Sequence, residues 1–105
     1  AAPSALALAL ELHPTPAVGG TPRQEALDHL AKVEQLDRGR YAGPAGWVDA
    51  RGDGEFYVAI RSAEVDGNRA RMIAGVGVVA DSDPADELLE TQLKLQALLA
   101  ALVRP

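Results

Sequence analysis

The sequence has no cysteine, few aromatic residues and no excess of positive charge. Without cysteine the chain has neither disulfides nor thiolate metal ligands. Its formal net charge of −5 argues against nucleic acid as a partner, because binding to phosphates needs clustered Lys and Arg. Aromatic residues make up only 4% of the chain, so any hydrophobic core has to be built from Leu, Val, Ala and Ile.

Long hydrophobic runs and basic amphipathic stretches are also missing, so no membrane partner is expected. The apolar opening at residues 1–12 is too short to span a bilayer, and it lacks the basic region and clear cleavage site of a signal peptide. We therefore expect a cytoplasmic protein. At 105 residues, of which 48% are hydrophobic, the chain has the size of one small globular domain or of part of a larger one.

Capping and turn residues predict three helices, at residues 4–12, about 22–37 and about 84–103. The second helix is expected to have Thr21 at its N-cap and Pro22 at its first position. The third is expected to have Asp83 at its N-cap, again followed by a proline. The region between the first two helices is rich in Pro and Gly and is predicted to be a loop.

Three strands are predicted between the second and third helices, at 46–50, 55–65 and about 69–80. In the middle strand apolar residues alternate with others from Phe56 to Arg61, which is the pattern of a half-buried strand. Asp66-Gly67 is a strong signal for a hairpin turn. The third strand is almost continuously apolar. Together these elements predict an α+β fold, a three-stranded antiparallel meander flanked by helices.

Three charged residues of the last helix fall on one face. Glu87 and Glu90 are three residues apart, and Lys94 follows four residues later. The spacing alone favours a solvated helix face with a Glu90–Lys94 ion pair. The functional alternative is a Mg²⁺ site, because Mg²⁺ is usually bound by one or two carboxylates together with water and substrate oxygens.

Four further residues have a structural and a functional interpretation. Gly75 and Gly77 either allow close packing of a helix or leave backbone N–H groups open to an anion. Arg61 is either an exposed cation on the sheet or a bidentate clamp for a carboxylate. Tyr41 is either a surface cap or a ligand contact. The residues themselves leave these alternatives open.

Four sequence blocks, taken together, resemble consecutive C-terminal motifs of the chorismate-utilising enzymes. They are HPTPAVGGTPR at 13–23, RGRYAGPAGWVD at 38–49, GEFYVAIRSA at 54–63 and AGVGVVADSDPADELLETQLK at 74–94. The family includes isochorismate synthases, salicylate synthases, the large subunit of anthranilate synthase and aminodeoxychorismate synthase. The blocks occur in the family's order and cover nearly the whole chain, and the HPTPAVGG form most resembles the isochorismate synthases.

The resemblance implies a magnesium site on the last helix. Glu90 corresponds to a direct Mg²⁺ ligand and Glu87 to a carboxylate that holds the water shell of the metal. Lys94 would face a carboxylate of the substrate, chorismate, and offset the acidic charge.

The resemblance also implies a set of substrate-binding residues. Arg61 and Tyr41 would bind the enolpyruvyl carboxylate, together with the backbone amides of Gly75 and Gly77. Ala17 is the position that discriminates most within the family, because isochorismate synthases usually carry Ala there and the other branches usually carry Thr. The implied reaction converts chorismate to isochorismate, for menaquinone or siderophore biosynthesis.

The family's catalytic base, catalytic acid and remaining metal ligands lie upstream of the matched region, so no residue of this chain is assigned to those roles. We therefore interpret residues 1–105 as the C-terminal portion of a chorismate-binding catalytic domain, a piece of a larger fold with two α/β halves. The isolated chain is expected to be inactive and to self-associate through exposed core surface. The alternatives are another chorismate enzyme, such as a salicylate synthase, and a non-catalytic module that binds anions or metals.

Overall fold

A computed structural model describes residues 2–103 and contains four helices and four strands in that range. In chain order they are α1 (Ala5–Leu12), α2 (Pro16–Gly19), α3 (Arg23–Val33), β1 (Pro44–Val48), β2 (Gly54–Val58), β3 (Ala63–Asp66), β4 (Arg69–Met72) and α4 (Pro84–Val103). The chain divides into two compact units between Ala59 and Ile60, which we call the first unit and the second unit.

In the first unit, α1 packs against the antiparallel hairpin of β1 and β2. The helix begins after Ser4, whose hydroxyl accepts a hydrogen bond of 3.1 Å from the Ala7 amide. The amide of Ala5 donates to the carbonyl of Gly52 in the hairpin turn at 2.8 Å. The side chain of Ser4 therefore caps α1, and a main-chain hydrogen bond joins the helix to the hairpin.

Helix α3 is shorter than the sequence predicts. Pro22 is extended and occupies the N-cap, so α3 begins at Arg23 and the predicted Thr21 cap is wrong. At the other end Gln35 has a φ of 55°, a left-handed conformation that ends a helix before the predicted Asp37. The predicted loop before α3 also contains the single helical turn α2.

The α+β class, with antiparallel strands and helices, is confirmed, but the strands are divided differently. The middle predicted strand is split into β2 and β3, and the four strands form two separate two-stranded sheets instead of one three-stranded meander. The split occurs around Arg61, whose φ is 51°, a left-handed conformation that no regular strand contains. In the sequence the break coincides with a change of phase, because apolar residues stand at 56, 58 and 60 before it and at 63 and 65 after it.

The third predicted strand ends early. β4 pairs with β3 only as far as Met72, which lies opposite Ala63. Residues 73–79 follow without pairing to any strand in the described part of the chain. A strand forms only where a partner is available, and the apolar composition of 73–79 does not reveal whether one is.

Helix α4 matches its prediction closely. The Asp83 carboxylate accepts hydrogen bonds from the amides of Ala85 at 2.8 Å and Asp86 at 3.3 Å, so Asp83 caps the helix as expected. Pro84 is the first helical residue and the helix ends at Val103. No helix within residues 2–103 combines the length and the apolar character that crossing a membrane requires.

Few apolar side chains are buried in the described part of the chain. Ala9 and Ala42 are the buried hydrophobic residues there. Large side chains stay exposed in both units, including Leu10 and Trp47 in the first and Leu88 in the second. An apolar surface of this extent favours contact with further protein. Self-association of the isolated chain stays a prediction.

Candidate functional site

The charged face of α4 lies beside the unpaired segment 73–79. The Lys94 Nζ donates a hydrogen bond of 2.8 Å to the Gly75 carbonyl and lies 3.4 Å from the Glu90 Oε1. The Lys94 side chain is 31% exposed and that of Glu90 is 54% exposed. Lys94 therefore joins α4 to residues 73–79, which we call the glycine segment, and the charges of Lys94 and Glu90 both keep access to solvent.

The ion pair between Lys94 and Glu90 adds little stability, because exposed pairs with i,i+4 spacing contribute about 0.3–0.5 kcal/mol. The hydrogen bond to Gly75 is different, since it connects residues 19 apart in sequence. Its donor carries a charge, and such bonds are stronger than neutral ones. The principal structural contribution of Lys94 is thus the connection between α4 and residues 73–79.

Glu87 and Glu90 lie one turn apart on α4, and the amide of Glu87 is fixed by a hydrogen bond of 3.0 Å to the Asp83 carbonyl. Glu87 is half-buried and Glu90 is exposed. Across residues 2–103, no group of three or more His, Asp or Glu side chains is arranged to hold a metal ion. The described chain therefore offers two carboxylates, which match Mg²⁺ in donor type and leave the remaining positions to water, substrate and other protein groups.

The two glycines of the segment have different surroundings. Gly75 is half-buried, and its carbonyl accepts the Lys94 bond. Gly77 is exposed, and a Cβ built on it would meet no atom within 4 Å. Packing within the described residues therefore does not require glycine at position 77, and its backbone is accessible to a ligand.

Arg61 is not the mid-strand residue that the sequence suggests. It lies on the exposed bend between β2 and β3, outside both sheets. The contacts of Lys94 bring Gly75 and Glu90 together with it in the second unit, and Arg61 takes no part in these contacts. The guanidinium is thus accessible to solvent, and its role as a carboxylate clamp stays a prediction.

Ala17 and Tyr41, the other two predicted ligand contacts, belong to the first unit. Ala17 is an exposed residue of α2. Tyr41 is half-buried in the turn before β1, and its amide donates to the Arg38 carbonyl at 2.9 Å. Next to it, the Ala42 amide donates to the Ala59 carbonyl at 2.8 Å, which extends the hairpin pairing up to Tyr41. The main chain of Tyr41 is therefore fixed on both sides.

Sequence analysis missed two residues of this region, Arg38 and Glu34. The Arg38 Nε donates to the Glu34 Oε2 at 2.9 Å, and the Arg38 Nη1 donates to the Val18 carbonyl at 2.9 Å. The guanidinium carbon lies 5.7 Å from the centre of the Tyr41 ring. The i,i+4 spacing of Glu34 and Arg38 was a readable signal for the pair. Nothing in the sequence indicated the contacts with Val18 and Tyr41.

The Arg38–Glu34 pair perturbs both titrating groups. The hydrogen bond from Arg38 holds the pKa of the Glu34 carboxyl below its ordinary value of 4.5. The same hydrogen bond raises the pKa of Arg38. Both side chains are 27% exposed, so the pair is partly shielded from water. Glu34 is thus ionised at neutral pH and acts as a fixed acceptor for Arg38.

A cavity of about 470 Å³ lies in the first unit beside this pair. Its walls are mostly apolar, with Leu10, Leu27 and Leu30 among them, and Tyr41 and Arg38 also line it. The His13 Nδ1 is bonded to the Ala9 carbonyl at 2.8 Å. His13 therefore packs against α1.

A family model described as chorismate binding enzyme matches residues 2–103, and the chain belongs to this family. The isochorismate synthase MenF of Bacillus subtilis is 50% identical over 92 residues, which are 88% of this chain and 20% of that protein. The salicylate biosynthesis isochorismate synthase of Pseudomonas aeruginosa is 54% identical over 97 residues, 92% of this chain and 20% of that protein.

A solved structure from Bacillus anthracis, named as a 2,3-dihydroxybenzoate-specific isochorismate synthase, DhbC, has the same fold as this chain. The TM-score is 0.89 and the sequence identity 55%, over 94% of this chain and 26% of that one. The chain therefore spans about a fifth to a quarter of the length of these relatives. These findings confirm the resemblance to isochorismate synthases that the four sequence blocks indicate.

Proposed function

We propose that this chain is the C-terminal portion of a chorismate-binding catalytic domain that converts chorismate to isochorismate with Mg²⁺. The observation that carries the proposal is the identity of about half its residues, over 88% to 92% of the chain, to relatives named isochorismate synthase. We call the polypeptide that would contain this chain and the upstream region the complete enzyme. In the proposed reaction water adds to the ring, and the 4-hydroxyl leaves as water, so the conversion is an isomerisation.

The reaction is divided between the two parts of the complete enzyme. The general base that activates the water and the general acid that protonates the leaving hydroxyl belong to the upstream region. This chain supplies substrate binding, in which Arg61 and Tyr41 hold the enolpyruvyl carboxylate. The exposure of Arg61 and the open backbone at Gly77 support this role, because both groups are accessible to a ligand. Arginine suits the task since its guanidinium binds a carboxylate through two parallel hydrogen bonds.

Lys94 has two roles in this proposal. It holds the glycine segment against α4 through the Gly75 carbonyl, which leaves the amides of Gly75 and Gly77 to face a substrate carboxylate. Its positive charge, 3.4 Å from Glu90, also offsets the carboxylates of α4 where an anionic substrate has to approach. Without that charge, Glu87 and Glu90 would repel the substrate.

Glu90 and Glu87 would hold the Mg²⁺ of the complete enzyme, Glu90 directly and Glu87 through bound water. Both present hard oxygen donors on one helix face, which fits this ion. When bound, Mg²⁺ would orient the substrate carboxylate and stabilise developing negative charge. Two carboxylates are fewer ligands than Mg²⁺ requires, so the others would come from water, substrate and the upstream region.

Ala17 is proposed to favour isochorismate as the product. Its exposed position on α2 supports a role in contacting bound molecules, and a methyl side chain there leaves room for the attacking water. We expect Ala17→Thr in the complete enzyme to reduce the share of isochorismate among the products, which chromatography measures. An unchanged product ratio would remove Ala17 as a determinant of the product.

The decisive experiment measures chorismate turnover with Mg²⁺ and separates the products by chromatography. It compares this chain alone, the upstream region alone, and the two mixed as separate polypeptides. We expect isochorismate only from the mixture. Isochorismate from this chain alone would overturn the division of roles. A mixture that leaves chorismate intact, when the complete enzyme does so too, would overturn the proposed function.

The exposed apolar side chains support a portion of an enzyme over a stand-alone binding module. A module of this size would have to bury its own core, whereas here large apolar residues of both units stay exposed. Sedimentation of the isolated chain tests this step. Self-associated chains are expected, and a compact monomer with cooperative unfolding would favour the module.

A further inference from the structure

The guanidinium of Arg38 touches three separate parts of the first unit. It pairs with Glu34, the residue after α3, and it donates to the main chain of α2 at Val18. It also lies over the ring of Tyr41, three residues further along the chain. Few side chains reach this many partners, since the contacts use the forked donors and the flat face of the guanidinium at once.

Two of these three contacts involve places where the proposed function puts substrate-binding residues. Val18 directly follows Ala17, so the bond of 2.9 Å from Arg38 fixes the main chain of the turn that carries Ala17. The ring of Tyr41 is held by Arg38 at 5.7 Å, within the range of cation–π attraction. The third contact, with Glu34, holds the guanidinium itself.

We propose that Arg38 is a positioning residue, which orients Tyr41 and the α2 turn with Ala17 for substrate binding in the complete enzyme. This inference rests on the proposed function. Arg38 does not touch the substrate in this arrangement. It acts through Tyr41, whose main chain is fixed by its neighbours but whose ring direction depends on the contact with the guanidinium.

Lysine in place of Arg38 is expected to restore only part of this arrangement. An ammonium at this position keeps the charge and can bond Glu34 or the Val18 carbonyl, but it lacks the planar fork that joins them and stacks on the ring. If Arg38 acts by positioning, KM should therefore worsen in steps from arginine through lysine to alanine. If only the positive charge mattered, the lysine variant would equal the arginine enzyme and only the alanine variant would be impaired.

The test is a double-mutant cycle on the steady-state kinetics of the complete enzyme with chorismate and Mg²⁺. We expect Arg38→Ala to raise KM about tenfold while kcat falls less than about threefold, because binding groups are displaced and the base and acid are not. Arg38→Lys should lie between. In a Tyr41→Phe or Tyr41→Ala background the effect of Arg38→Ala should shrink to about threefold or less, since residues that act through one another are not additive.

Arg51→Ala is the matched control, because Arg51 is an exposed arginine of the hairpin turn in the same unit. It should leave KM unchanged. Thermal melting shows whether the Arg38→Ala enzyme folds. If it does not fold, Arg38→Lys takes its place in the double-mutant cycle. Full additivity of the Arg38 and Tyr41 changes, or an unchanged KM, would overturn the proposal while the proposed function stands. An unaltered complete enzyme that does not convert chorismate would overturn the function, and this inference with it.

Discussion

Different kinds of contact stabilise the interior of each of the two units of this chain. In the first unit, hydrogen bonds from Arg23 and Arg38 reach main-chain carbonyls, and α1 is joined to the hairpin through Gly52. In the second unit, Lys94 joins the single long helix to a segment that pairs with no described strand. In the first unit several bonds therefore join segments that are distant in sequence, and in the second unit the bond from Lys94 joins α4 to residues 73–79.

The difference coincides with the proposed division of tasks. The second unit carries Glu87, Glu90 and Arg61, which are proposed to contact the metal or the substrate, and the latter two are exposed. The first unit carries Tyr41 in a half-buried place where neighbouring residues set its position. Ligand groups of the second unit are thus available for partners, whereas those of the first are oriented beforehand by the fold.

The largest effect is expected from the carboxylates of the second unit. Glu90→Gln in the complete enzyme should lower chorismate turnover by more than about 100-fold, because changes around metal ligands already cost about 10–100-fold and Glu90 is proposed as a ligand itself. Turnover is measured as Mg²⁺ is titrated. Asp86→Asn, an equal change of charge on the same helix, should stay within about twofold. Turnover of Glu90→Gln within about threefold of the unaltered enzyme would exclude Glu90 as a ligand.

The next largest effect is expected from a comparison of two glycine substitutions, one in each unit. A Cβ at Gly46 in β1 would lie 1.9 Å from the Glu55 carbonyl oxygen, so Gly46→Ala forces the hairpin apart. We expect it to destabilise the fold by about 3 kcal/mol, seen as a lower melting temperature of the complete enzyme.

Gly77→Ala is the matched change in the second unit. Nothing lies within 4 Å of the added methyl group, so the melting temperature should stay the same. The KM for chorismate should nevertheless rise about fivefold, because the methyl group would hinder approach to the backbone amide. A Gly77→Ala enzyme with a lower melting temperature, or with unchanged KM, would contradict an open backbone that faces substrate.

A smaller effect is expected from Lys94→Met, which removes the bond to Gly75. A hydrogen bond to a charged group contributes about 1.5–3 kcal/mol, and partial exposure lowers this to about 1 kcal/mol here. Amide hydrogen exchange in residues 73–79 should therefore be about fivefold faster. Lys32→Met, which changes an exposed lysine of α3, should leave this exchange unchanged. If Lys94→Met leaves it unchanged too, another contact holds the segment.

Sequence patterns predicted local features well and non-local ones poorly. The cap at Asp83, the extent of α4 and the common face of Glu87, Glu90 and Lys94 all follow from residues within one or two turns of each other. The left-handed backbone at Arg61 shows in the sequence only as a change of phase in the apolar alternation. The unpaired segment 73–79 depends on available partners, which periodicity does not encode.

The same limit applies to the candidate site. The roles of Ala17, Arg61 and Tyr41 came from a family resemblance, and four ordered blocks were enough to identify that family. The contact of Lys94 with Gly75 joins residues 19 apart, and that of Arg38 with Val18 joins residues 20 apart. Neither spacing belongs to a helix or a hairpin, so no sequence pattern signals these contacts.

The smallest effect is expected in the first unit, where the ionisation of Glu34 should make stability depend on pH. Arg38 holds the pKa of this carboxyl below 4.5, so the folded state favours the ionised form. The resulting stability is present above the pKa of the unfolded chain and is lost as the pH falls through the lower pKa of the folded state. Because the pair is partly exposed, we expect it to contribute only about 0.5 kcal/mol to the free energy of unfolding.

Glu34→Gln should therefore lower the melting temperature slightly at pH 7, and the difference from the unaltered protein should vanish well below pH 4.5. Glu25→Gln, at an exposed position of α3, is the control. A difference that grows as the pH falls would mean that Arg38 does not stabilise the ionised carboxylate.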